Sequence, residues 1–182
     1  MILAVMIVNN FGKPRLLKFY RHAPEPRQQQ IVRDVFQTLS VRSEAASSFV
    51  DASEWFGVAG ARLIYRMYAT LYFCMVIDGS ESELGILDLI QVLVETLDRH
   101  FKSVCELDLI FHSERVHHVV DEMIVGGLVA ETNPSQILED IDAQTRLERA
   151  QSDAGVAAAA VQQKIDALSN NLGSLQNRVQ GL

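Results

Sequence analysis

Histidine, cysteine, carboxylate and arginine are the side chains through which these 182 residues could do chemistry, and their spacing suits little of it. His117 and His118 are adjacent. On a helix that sets them about 100° apart, poorly aimed at a shared metal ion. His112, Cys74 and Cys105 stand at no ligand-type spacing to them, so no metal site is expected. Cys105 with a distant histidine could make a nucleophile and base, a pairing any chain of this length offers. Gly57-Val58-Ala59-Gly60 lacks the Gly-Lys-Ser/Thr ending of a phosphate loop. Asp88, Glu95 and Asp98 fall on one helical stripe, which suits a solvated or partner-facing edge better than an acid–base pair. The expectation is no catalytic residue and no cofactor.

Arginine and lysine give a clearer signal. The net charge is −7, but Lys13, Arg15, Lys18, Arg21, Arg27 and Arg33 stand against Glu25 alone in residues 1–33, for +5. Residues 34–150 carry −12 and residues 151–182 are neutral. A chain acidic overall is a poor nucleic-acid binder, while a basic face near the N-terminus can attract an anion or simply be solvated. Two cysteines exclude a disulfide framework and suit reduced, cytosolic thiols. The longest apolar run, Met1 to Val8, is eight residues, against about 20 for a membrane span. It has no basic flank or cleavage site of a signal peptide and reads as a strand.

The elements that must carry these side chains follow from periodicity. Met1–Asn9 is apolar and β-branched, a strand buried on both faces. Turn chemistry at Asn9-Asn10-Phe11-Gly12 and a mixed run Pro14–His22 complete a hairpin. Ile31, Val32, Val35, Phe36 and Leu39 form one stripe of a helix that Pro26 can open. Ser47–Val50, Leu63–Tyr68 and Leu71–Asp78 are strand candidates. Ser80 and Glu83 have capping-box spacing, predicting a helix from about 81 to 101. Its apolar residues cover most of its circumference, so it needs cover on more than one side. Ser103 and Glu106 repeat the spacing for a helix running to a Gly126-Gly127 C-cap. Asn133-Pro134 opens a last helix with Ile137, Leu138, Ile141 and Leu147. Strands first in short-linked runs, then helices, predict an α+β domain: an antiparallel sheet with helices packed on it.

Character changes near residue 151. Val161, Ile165, Leu168, Leu172, Leu175, Val179 and Leu182 are spaced 4, 3, 4, 3, 4 and 3, a heptad pattern weakened by Asn170, Asn171 and Gly173. The expected organisation is a domain over residues 1–150 and an amphipathic helical or mobile tail over 151–182.

Four blocks carry a family resemblance: the opening Met-Ile-Leu-Ala-Val-Met-Ile-Val-Asn-Asn-Phe-Gly-Lys-Pro-Arg-Leu, Leu63–Phe73, Val104–Phe111 and Val119–Met123. They resemble the small, sigma-type subunits of the heterotetrameric clathrin-type adaptor complexes that load cargo into coated vesicles. Residues 80–92 and the loop around Trp55-Phe56-Gly57 look most like the sigma subunit of adaptor protein complex 3. The resemblance implies a longin-like fold, with a five-stranded antiparallel sheet flanked by helices. It implies no enzymatic activity. It implies assembly with a delta-type large subunit directly, and with a second large and a medium subunit in a heterotetramer. Such a complex is cytoplasmic and peripheral on Golgi, endosome and coated-vesicle membranes, serving vesicle-mediated protein transport towards the lysosome or vacuole.

Residue by residue, the resemblance makes Arg15 the cation that meets the acidic residue of an acidic dileucine cargo tail. It sets Ala69, Leu71, Val94, Val104, Leu107 and Leu109 around the pockets for the two leucines. Met67 stands where relatives often carry arginine, and Ser103 where the endocytic relative has asparagine. Both departures bear on signal contacts. The alternative is a longin-type membrane-fusion protein, since a heptad tail after a longin domain is that arrangement.

Overall fold

The structure, a computed structural model, describes residues 1–43, 45–147 and 150. Strands β1 (Ile2–Asn9) and β2 (Pro14–Phe19) form the first hairpin, followed by α1 (Glu25–Ser40), β3 (Phe49–Asp51) and a one-turn α2 (Ser53–Phe56). Strands β4 (Arg62–Tyr68) and β5 (Leu71–Ile77) form the second hairpin. Helices α3 (Glu83–Phe101), α4 (Glu106–Phe111) and α5 (Ser113–Met123), then a small hairpin of β6 (Ile124–Val125) and β7 (Leu128–Val129), complete the series. Residues 134–147 are helical. The main sheet is antiparallel throughout, in the order β2-β1-β5-β4-β3. Met1–Ile141 forms one compact unit. The expected boundary near residue 150 falls at the limit of the described residues, and the heptad tail lies outside them.

The sheet is covered on both faces, as the unbroken apolar run of β1 requires. Ile2, Val5 and Ile7 face a core shared with α3, α5 and Ile137 and Ile141. Leu3, Ala4, Met6 and Val8 face a second core under α1. Leu3 and Ala4 are consecutive yet lie on one face, because the β1–β5 register shifts between Ile2 and Ala4. That bulge lets a run without polar alternation serve both layers.

The helix from the middle of the chain agrees with expectation in extent and differs at its start. Ser82, not Ser80, caps α3, accepting from the Gly85 N–H at 3.3 Å. The Ser80 hydroxyl is drawn instead to the Asp78 carboxylate. Ile86, Leu89, Ile90, Leu93 and Leu97 make its buried stripe, whereas Leu84 is 69% exposed. The expected single helix after Ser103 is two, because His112 leaves helical geometry (φ −123°, ψ 37°) with its ring stacked on Phe101. Gly126-Gly127 is not a C-cap. Both residues have positive φ, 59° and 85°, and form the two-residue turn between β6 and β7. Asn133 does cap the last helix, accepting from Ser135 N–H at 3.0 Å.

Candidate functional site

Arg15 owes its position to Asn9. The Asn9 side-chain oxygen accepts from the N–H groups of Phe11 (3.0 Å) and Lys13 (2.8 Å), which tightens the turn and starts β2 with Arg15 second. The same Asn9 donates through Nδ2 to Glu106 Oε1 at 2.9 Å. Arg15 donates to that oxygen twice, from Nε at 2.8 Å and Nη2 at 2.7 Å. One carboxylate oxygen thus takes three donors and ties the hairpin to the N-terminus of α4. The hydrogen bonds from Arg15 and Asn9 hold the Glu106 carboxyl below its usual value. Its stabilising contribution is whole above the ordinary carboxylate range and fades as pH falls through the depressed value. The expected cation is therefore partly neutralised by its own chain. Nη1 makes no hydrogen bond among the described residues, and the Arg15 side chain is 19% exposed.

Sequence reasoning missed Glu106, which its spacing from Ser103 marked as a capping residue. The cap of α4 is supplied elsewhere: the Cys105 N–H donates to Asp108 Oδ2 at 2.9 Å. No local pattern links Glu106 to a residue 91 positions away.

The remaining expected residues divide into three settings. Leu71 (8% exposed) and Leu109 (1%) are core residues, with half-buried Val94 and Val104 packed on the same cluster. Leu107 points out, 59% exposed, beside exposed Ile110 and Phe111 one turn further along α4. Ala69 is exposed in the β4–β5 turn at φ 51°, in the left-handed region a Cβ disfavours. The bond from Asn10 N–H to the Thr70 carbonyl (2.9 Å) brings that turn against the Arg15 hairpin. Arg15, Ala69 and α4 thus cluster at one end of the sheet. Leu71 and Leu109 are buried there, so Leu71→Ser would report stability along with any binding.

Ser103 sits where the chain reverses between α3 and α4. Lys102 and Ser103 have φ of 56° and 85°, and both N–H groups reach the Asp98 carbonyl, as the Asp98 carboxylate accepts from Val104 N–H at 3.1 Å. Asparagine and glycine tolerate this region better than serine, so the departure at residue 103 acts on the backbone. Ser103→Gly is expected to stabilise by about 0.5–1 kcal/mol, raising Tm by ~2 °C. A lower Tm in calorimetry would show that the serine side chain contributes more than its strain costs.

Burial pushes the Cys74 thiol up and leaves it inert, and Cys105 is exposed at the start of α4. Burial, with Lys18 and His118 nearby, lowers the His117 pKa. Among the described residues no three metal-ligating side chains gather, and no helix is long and apolar enough to cross a membrane.

Comparison with known proteins identifies the family. The family model for "Clathrin adaptor complex small chain" matches residues 1–148. The chain is 52% identical over 159 residues to human "AP-3 complex subunit sigma-2", covering 87% of this chain and 81% of that protein. It is 48% identical over 167 residues to the Dictyostelium discoideum "AP-3 complex subunit sigma", covering 91% and 98%. The Arabidopsis thaliana protein of that name is 49% identical over 150 residues, covering 82% and 90%. In structure it is similar to a chain of "Homology model of the full-length AP-3 complex in a stretched open conformation", with TM-score 0.65, 37% identity and coverage of 84% and 98%. On residues 1–148, therefore, the chain belongs to the clathrin adaptor complex small chain family.

Proposed function

We propose that this chain is the small subunit of an AP-3-type adaptor heterotetramer in vesicle-mediated transport between Golgi or endosome and the lysosome or vacuole. It packs on a delta-type large subunit and helps read acidic dileucine cargo tails. The family is one of adaptor subunits and not of catalysts, and the identity to AP-3 sigma subunits of human, Dictyostelium discoideum and Arabidopsis thaliana over most of the chain supports the assembly. The observation that carries the cargo reading is the Arg15 fork, half engaged by Glu106, beside the exposed apolar Leu107, Ile110 and Phe111. A cation next to apolar surface suits a ligand that is acidic and then aliphatic. The complex acts at membrane surfaces through its other subunits, and this chain remains cytoplasmic.

The assembly is tested by purifying the tagged chain from cells and weighing what co-elutes. Four chains at 1:1:1:1 support it, and a lone chain or a fusion-type helical bundle removes it. The cargo role is tested by peptide affinity of the reconstituted tetramer for an acidic dileucine peptide. Arg15→Ser is expected to weaken binding by about 1 kcal/mol, close to five-fold, and by less at high salt. Glu106→Gln, which frees the Arg15 charge, is expected to tighten it. Leu107→Ser should weaken binding to the same extent at low and high salt. Wild-type affinity in all three intact tetramers would leave the chain a purely structural subunit.

A further inference from the structure

Short β3 leaves part of β4 without a neighbour. It pairs Phe49, Val50 and Asp51 with Ile64, Leu63 and Arg62, and one more bond runs from Tyr65 N–H to the Ser48 carbonyl at 3.1 Å. That bond fixes which way the peptide groups of β4 point. Tyr65 turns its N–H towards β3, so Met67, two residues on, turns its N–H and C=O to the same side. No strand is there to meet them: among the described residues no backbone partner is recorded for Met67 on that edge. Met67 itself is 46% exposed. An unpaired edge of this kind is a template for an added strand.

The edge opens into a cavity of about 740 Å³ whose lining includes Arg42, Ser48, Tyr65, Arg66, Met67 and Ala69. Two guanidinium groups flank it from opposite faces of the sheet. Arg42 lies on the α1 face, over the Tyr65 ring (5.9 Å), with Nε donating to Tyr65 Oη at 3.1 Å and Nη2 to the Ser47 carbonyl at 2.7 Å. Arg66 lies on the α3 face, exposed, with a long 3.5 Å contact from Nη1 to Gln91 Oε1. No carboxylate among the described residues lines this cavity, in a chain whose net charge is −7.

We propose that the free edge of β4 at Met67 binds an extended acidic peptide segment by strand addition, with Arg42 and Arg66 each taking one carboxylate. Side chains of an added strand alternate between faces. Two consecutive acidic residues therefore put one carboxylate on each face, one towards Arg42 and the next towards Arg66. The same two acids spaced by one residue reach only one face. The preferred ligand is an acidic doublet in an extended, β-forming context. The site shares Ala69 and Met67 with the region where the dileucine signal is expected, but its contacts, the β4 edge with Arg42 and Arg66, use neither Arg15 nor Glu106.

The test uses the full 182-residue chain and the peptide acetyl-Thr-Val-Glu-Glu-Val-Thr-amide. Expected results are titratable binding and at least five-fold slower hydrogen exchange at the Met67 amide when the peptide is saturating. Arg66→Glu should weaken binding ten-fold or more, and Arg66→Gln, which avoids any new repulsion, at least three-fold. Arg15→Ser should leave it unchanged. A Lys-Lys peptide, and the Glu-Glu peptide N-methylated at both acidic residues, should not bind. Unchanged exchange at Met67, wild-type affinity in both Arg66 variants, or equal binding of the N-methylated peptide would overturn the proposal.

Discussion

Leu93→Asp is expected to abolish the cooperative unfolding transition of the chain and to drive it into the insoluble fraction. Leu93 is 1% exposed in the centre of the buried stripe of α3, packed on the face of the sheet that carries Val5, Ile7, Phe73 and Met75. The substitution removes about 2–3 kcal/mol of apolar burial and sets a carboxylate where no basic partner is within the cluster. An uncompensated buried charge costs several kcal/mol more, and the total approaches the whole stability of an ordinary domain. Leu84→Asp on the same helix is the matched control. At 69% exposure, Leu84 should change the stability of the chain by less than about 0.5 kcal/mol. If a large subunit covers that side of α3, Leu84→Asp will nonetheless block assembly. Thermal melts of the two variants, followed by co-purification, separate the two effects. A soluble Leu93→Asp chain with a wild-type melt would contradict the packing described here.

Gly127→Ala is the second large effect, expected to cost about 3 kcal/mol or more. Gly127 combines φ of 85° with closeness: an added Cβ would overlap the Ile2 carbonyl oxygen and lie 2.8 Å from Met1 Cε. The Gly127 carbonyl also accepts the Ile2 N–H at 2.8 Å, so relief by moving this turn would break the bond that fastens the small hairpin to β1. Left-handed strain accounts for about 1–2 kcal/mol, and overpacking against backbone for the rest. Gly126→Ala isolates the strain. Gly126 has φ of 59° but open space around its would-be Cβ, so only the 1–2 kcal/mol should be lost. Equal destabilisation of the two variants by denaturant titration would mean that the contact with Ile2 contributes nothing.

What the residues settle alone is local and periodic. The two-faced burial of β1, the stripe of α1 from Ile31 to Leu39, the long α3 and the Asn133 cap were all legible, because each is decided within about one turn or one strand. So was the fold class, from strands joined by short links and followed by helices. The family resemblance added a likeness over roughly residues 1–150 to adaptor small chains, matched by the family model over 1–148, and the expectation of Arg15 as a site cation.

Tertiary structure decided the rest wherever one local pattern allowed two outcomes. Gly126-Gly127 can end a helix or turn a hairpin, since both need positive φ; the bond to Ile2 selects the hairpin. Ser80 and Glu83 had the right spacing for a cap, but Asp78 competes for the hydroxyl. Leu71 and Leu109 are apolar in either reading, and only the layers packed on them set their burial at 8% and 1% exposure. Glu106 meets Arg15 across 91 residues of chain because β2 is the edge strand beside α4, a neighbour relation that topology creates and no spacing encodes. Residue type and period determine what a segment can become; the packing of distant segments determines which polar atoms find partners and which edge, here that of Met67, has none among the described residues.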